Sequence, residues 1–132
     1  MTIVPLTQSM NLPVLLVDPD RDNLALMAAF LRASGYAPTL TDDFEDAAAL
    51  LKAGGFATLI TAEHLGAHNG LHLVLRARAG RPAMGAVVTT TRPDPAVEAE
   101  ATMFGAVCVV SPWEYPIDLL AALSRVDGAL PA

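Results

Sequence analysis

Leu12–Asp20 constrains this chain more than any other stretch: it reads L-P-V-L-L-V-D-P-D. Val14–Val17 are four consecutive apolar residues that stop at an acidic pair split by a proline. A short apolar run bounded by turn residues suits a strand buried on both faces, as in a parallel sheet. An Ala/Leu-rich helical pattern follows, so the segment reads as the first strand and crossover of an open α/β sheet. In that architecture sites lie beyond the carboxyl ends of the strands. Asp18 and Asp20 stand at that end.

The rest of the chain repeats this alternation. Met1–Asn11 shows no clear period and is expected to be a flexible lead-in. Helix one is predicted over Arg21–Ser34, with Asp20 as N-cap, Asp22 and Asn23 in its first turn and Gly35 as its stop. Ala37–Leu40 is a weakly hydrophobic second strand, which suggests a sheet edge. In Thr41-Asp42-Asp43-Phe44-Glu45, Asp42 as N-cap puts Glu45 at N3, a capping-box pattern. That helix runs to Ala53 and ends at Gly54-Gly55. Phe56–Thr61 is the third strand, Ala62–Asn69 a polar loop and Leu71–Ala79 the third helix. Met84–Thr89 is the fourth strand, and a short fourth helix runs from Pro95 to near Phe104. Ala106–Val110 is the fifth strand. Pro116 fits the first turn of a last helix, which reaches Asp127-Gly128. Five β-α units follow, with right-handed crossovers if the strands are parallel.

Composition removes several classes of function. Net charge is −6 and Lys52 is the one lysine, so no basic patch for nonspecific nucleic-acid binding is visible. An anionic membrane surface is disfavoured for the same reason. No apolar run approaches the roughly 18–20 residues of a membrane span, and the N-terminus lacks a basic region followed by an apolar one. Cys108 is the only cysteine, so no intrachain disulfide can form. A soluble cytoplasmic module is expected. Neither a GxGxxG nor a GxxxxGK[ST] stretch follows the first strand, so the usual dinucleotide and P-loop signals are absent and no cofactor is expected.

The order and spacing resemble the receiver domain of two-component response regulators, of the chemotaxis regulator type. V-L-L-V-D-P-D-R-D-N-L resembles that family's first strand and acidic turn. F-A-T-L-I-T-A-E-H-L-G-A-H-N-G-L resembles its third strand and the loop into helix three. V-V-T-T resembles the end of strand four, and G-A-V-C-V-V-S-P-W the end of strand five. The resemblance covers about Leu12–Val126. It implies a flavodoxin-like (βα)5 fold, an open doubly wound five-stranded parallel sheet in the order 2-1-3-4-5. It also implies a receiver-like domain over 12–128 and a tail or the start of a linker at 129–132.

The resemblance further assigns a pocket, and this sequence departs from it. Asp18 falls on the first residue of the family's acidic pair. Pro19 falls on the second, which is normally an acidic magnesium ligand. Counting back from Gly70, the phosphoacceptor aspartate position is Ala62. Thr89 falls on the hydroxyl residue that contacts the phosphoryl group, Ser111 on the pairing lysine and Cys108 on the aromatic switch position. Phosphoryl transfer needs an in-line nucleophile and positive charge on the equatorial oxygens. Alanine has no nucleophile, serine no charge and proline no metal ligand. The resemblance therefore implies a degenerate pocket of Asp18, Pro19, Asp20, Ala62, Thr89 and Ser111, in a module that is not an enzyme.

Other residues have plainer readings. Asp18 and Asp20 are the candidates for a metal site, but hard cations take six or more oxygens. Capping helix one and its preceding turn is the simpler role, and no metal is expected. Glu63 follows the acceptor position, and strand alternation turns a neighbour away from the pocket. His64, His68 and His72 read as solvated residues rather than a ligand set. Cys108 reads as a small strand hydrophobe. Trp113 and Tyr115 precede the last helix, and with Cys108 they are interface candidates. The resemblance places dimer contacts and partner docking on the surface of helix four, strand five and helix five.

The function expected is a phosphorylation-independent receiver-like signalling module. Its partner would be another protein or a linked output or kinase domain, with no nucleic acid or membrane. Two alternatives stand beside it. One is a small ligand- or cofactor-binding protein or enzyme on a flavodoxin-like sheet. The other is an active receiver with an atypical acceptor.

Overall fold

Val14, Leu15, Leu16 and Val17 have no exposed surface at all. In the computed structural model, which describes residues 12–110 and 116–127, they form the middle of β1 (Leu12–Val17). Alternate side chains of a strand point to opposite faces, so both faces of β1 must be covered. Leu15 and Val17 pack into one core with Phe44, Leu59, Leu71, Val74 and Val88. Val14 and Leu16 pack into the other with Leu24, Met27, Leu31, Ile60, Val87, Leu119 and Leu123. Each such side chain contributes about 1.5–3 kcal/mol by leaving water.

The elements that supply these cores alternate along the chain. After β1 come α1 (Arg21–Ala33), β2 (Tyr36–Thr41), α2 (Phe44–Ala53) and β3 (Thr58–Ala62). They are followed by α3 (Gly70–Gly80), β4 (Gly85–Thr90), α4 (Pro95–Met103), β5 (Val107–Val110) and α5 (Pro116–Asp127). All four strand pairings are parallel, and the sheet order is β2-β1-β3-β4-β5. The expected doubly wound 2-1-3-4-5 sheet is therefore present. β1 is internal, and β2, none of whose residues is fully buried, is an edge.

Local chemistry sets the helix starts. Asp20 is the N-cap of α1 and accepts from the amides of Asp22 and Asn23. Asp94 does the same for Ala96 and Val97 at α4. The expected cap of α2 is corrected. Asp43, not Asp42, accepts the Asp46 amide at 2.9 Å, so the helix begins at Phe44 and Glu45 is not at N3. Asp42 is occupied elsewhere, 2.8 Å from Nε of Arg21. Two neighbouring aspartates were equally competent as caps, and the tertiary ion pair separates them. The stretch expected as a plain loop, Ala62–Asn69, also differs. It closes β3 and then folds into a two-residue antiparallel hairpin, His64–Leu65 against His68–Asn69, with Asn69 capping α3. The expectations for residues 1–11, Ser111, Trp113, Tyr115 and 129–132 lie outside the described residues.

Candidate functional site

The register brings the carboxyl ends of three strands into one row. Val17 pairs with Thr61, and Thr61 pairs with Val88. One residue further on, Ala62 pairs with Thr89, beside Asp18 at the end of β1. A cleft of about 230 Å³ opens over this row, and Asp18, Pro19, Asp20, Ala62 and Thr89 all line it. The sequence-predicted positions other than Ser111 are thus brought together. Asn23, Glu63, His64, Thr90 and Thr91 line the same cleft. Among these, Asn23 was legible as a first-turn residue of the helix that leaves β1.

Asp18 is the buried carboxylate of the site, 7% exposed. Its Oδ1 accepts the Asp20 amide at 2.8 Å. Burial pushes its pKa up from the ordinary carboxylate value; the Asp20 amide opposes that shift, and repulsion from the Asp20 carboxylate adds to it. Asp20 itself is exposed and is held by its capping bonds to Asp22 and Asn23 at 3.0 and 3.2 Å.

Ala62 ends β3 and is among the residues that line the cleft. Immediately behind it the chain turns under close steric control. The Gly70 amide donates to the Glu63 carbonyl oxygen at 2.7 Å. A Cβ on Gly70 would collide with the Ala62 carbonyl oxygen and crowd Thr61 Oγ1, so only glycine fits where α3 begins. The Thr61 hydroxyl donates to that same Ala62 carbonyl oxygen at 3.0 Å.

Glu63 follows the last residue of β3. Alternation holds only inside a strand, and β3 stops at Ala62. The Glu63 amide donates to the Thr89 carbonyl oxygen at 2.9 Å; the residue is among those lining the cleft, and its side chain is 13% exposed with His64 Nε2 3.6 Å from Oε2. His68 turns away, stacking on Phe44 with ring centroids 4.1 Å apart and lying 3.9 Å from Glu45. His72 is exposed on α3. Among the described residues, no group of three or more His, Cys, Asp or Glu is placed to hold a metal ion.

The cleft is electrostatically one-sided. Three carboxylates (Asp18, Asp20 and Glu63) and three threonines line it, and the described lining residues include no lysine or arginine. Cys108 is half-buried on β5. Burial first, then the carboxylates of Glu98 and Glu63, push its thiol pKa up against an opposing bond from Thr90.

No family model and no curated relative matches this chain. Solved structures do match its fold. A CheY-like response regulator receiver domain from Methanospirillum hungatei superposes with a TM-score of 0.80 at 22% identity, covering 89% of this chain and 94% of that one. A response regulator from Burkholderia pseudomallei, solved with a phosphorylated aspartic acid, a calcium ion and citrate, gives 0.76 at 24% identity over 90% and 74%. The beryllofluoride-activated NtrC4 receiver domain dimer gives 0.78 at 19% identity over 88% and 97%. The chain has the fold of response regulator receiver domains. Among the described residues, no helix is long and apolar enough to cross a membrane.

Proposed function

We propose that this chain is a receiver-like signalling module that acts through protein–protein contacts and does not accept a phosphoryl group. The observation that carries this is Ala62. A methyl group ends β3 in the row of Asp18 and Thr89, where the receiver resemblance implies an acceptor aspartate. Pro19 beside it offers no side-chain oxygen, and Ser111 in the sequence offers no charge. The module is not an enzyme on this reading, and it works in the cytoplasm.

Its contacts are with a protein partner or a linked output or kinase domain. The surface of α4, β5 and α5 is the favoured face, including as a homodimer contact. Met103 on α4 is 79% exposed, and Val110 at the end of β5 also reaches solvent. β5 is the second edge of the sheet, and an edge strand offers unpaired backbone groups. Trp113 and Tyr115 follow β5 in sequence. The NtrC4 neighbour is a dimer in its beryllofluoride-activated form.

A second reading, an active receiver with an atypical acceptor, is favoured by one observation: Glu63 lines the cleft. Beryllofluoride with magnesium separates the two. A phosphorylation-independent module shows no amide shift changes at Asp18, Glu63 or Thr89 and no change in sedimentation. Saturable shifts at these residues would favour the atypical acceptor.

A further inference from the structure

We propose that the groove between the C-terminal halves of α2 and α3, at the opposite end of the sheet from the cleft, docks an acidic peptide segment of a partner protein. The segment would insert one apolar side chain. The groove holds about 450 Å³, within the range of sites that bury a ligand's apolar part. Its floor is apolar: Ala77 and Met84 are almost wholly buried, and Leu51 is partly so. Lys52 stands on the α2 bank, and Arg76 and Arg81 on the α3 side.

The charge of this groove is opposite to that of the molecule. The chain has 14 carboxylates against eight Lys and Arg, yet the groove is lined by three cations and no carboxylate among the described residues. None of the three forms an ion pair among the described residues. Arg76 lies over the Phe44 ring at 5.4 Å, and Arg81 uses Nη1 on the Phe56 carbonyl oxygen at 3.0 Å. The Arg81 contact orients its guanidinium without pairing it to a carboxylate, whereas the Arg76 guanidinium is drawn over the first residue of α2, outside the groove lining. An arginine held as Arg81 is held is prepared for bidentate pairing with a carboxylate.

The same features choose the occupant. No aromatic side chain lines the groove among the described residues, so nothing there stacks a nucleobase. The net charge of −6 disfavours a polyanion that must cover a wider surface. A short acidic segment with an apolar anchor matches both the floor and the banks. This surface is separate from the α4, β5 and α5 face, and its occupancy does not depend on phosphoryl chemistry.

The test titrates the 15N-labelled chain of 132 residues with a synthetic peptide of aspartates and glutamates around two leucines. One control replaces the acids by asparagine and glutamine, and another replaces the leucines by serine. Saturable shifts should centre on Leu51, Lys52, Ala77 and Arg81. Both controls, and Lys52→Glu in the protein, should weaken binding by about tenfold or more. Lys52 is exposed, and the variant should keep the parent's amide spectrum away from the groove. Shifts centred on the cleft or on α4 and β5, equal binding of either control, or no saturation at millimolar peptide would overturn the proposal.

Discussion

Asp18 Oδ1 accepts the backbone amide of Asp20 at 2.8 Å, while the Asp20 carboxylate accepts the amides of Asp22 and Asn23. The two aspartates form one relay that turns the chain from β1 into α1. Asp18 is the buried member, and burial has raised its pKa. The folded state therefore holds this proton more tightly than the unfolded chain does. By linkage, the stability Asp18 contributes is fully present below the unfolded aspartate pKa and is lost as pH rises through the raised folded pKa. Asp18→Asn keeps the acceptor oxygen and removes the titration. Urea midpoints should show the variant at least as stable as the parent at pH 7, with a flatter profile through the acid range. A lower midpoint for Asp18→Asn at pH 7 would mean that the ionised form is stabilised by something else.

Caps distinguish neighbours that look alike in sequence. Asp43→Ala should cost about 0.5–2 kcal/mol by uncapping α2. Asp42→Ala removes only the partly exposed pair with Arg21 and should cost about 0–1 kcal/mol. Urea denaturation of the two variants side by side checks this. The reverse order would restore Asp42 as the cap.

Gly70→Ala places a methyl group against the Ala62 carbonyl oxygen. Overpacking of this kind costs about 1–3 kcal/mol or more, and here it strikes the backbone that closes β3. A thermal melt should show a clear loss of stability. Gly80→Ala meets nothing within 4 Å and serves as the matched control. Equal melts for the two variants would show that the β3–α3 turn is looser than described.

Buried strands and helix caps were legible because their signals are local. Val14–Val17 needed no neighbour to declare a two-faced burial, and Asp20 stood directly before an amphipathic run. The site row was legible through the family resemblance, which counts back from Gly70 to Ala62; the strand itself was expected to end at Thr61 and runs one residue further, to Ala62. Other features were not legible, for identifiable reasons. Two-residue strands such as His64–Leu65 carry no period. The Asp42–Asp43 ambiguity was resolved by Arg21, which lies 21 residues away. The cationic groove unites Lys52 with Arg76 and Arg81 only after α2 and α3 have packed.

Intact mass spectrometry after incubation with acetyl phosphate and magnesium tests the central claim most directly. The measurement is made on the parent chain, on Glu63→Gln and on Ala62→Asp. All three masses should remain unchanged. The Ala62 side chain has no oxygen to attack with, and an aspartate there alone would leave position 19 without a metal-ligating side chain and position 111 without a charge. A base-labile phosphoryl adduct on the parent that disappears in Glu63→Gln would contradict the account and identify Glu63 as the acceptor. Efficient labelling of Ala62→Asp would equally contradict it, by showing that the remaining cleft still supports transfer.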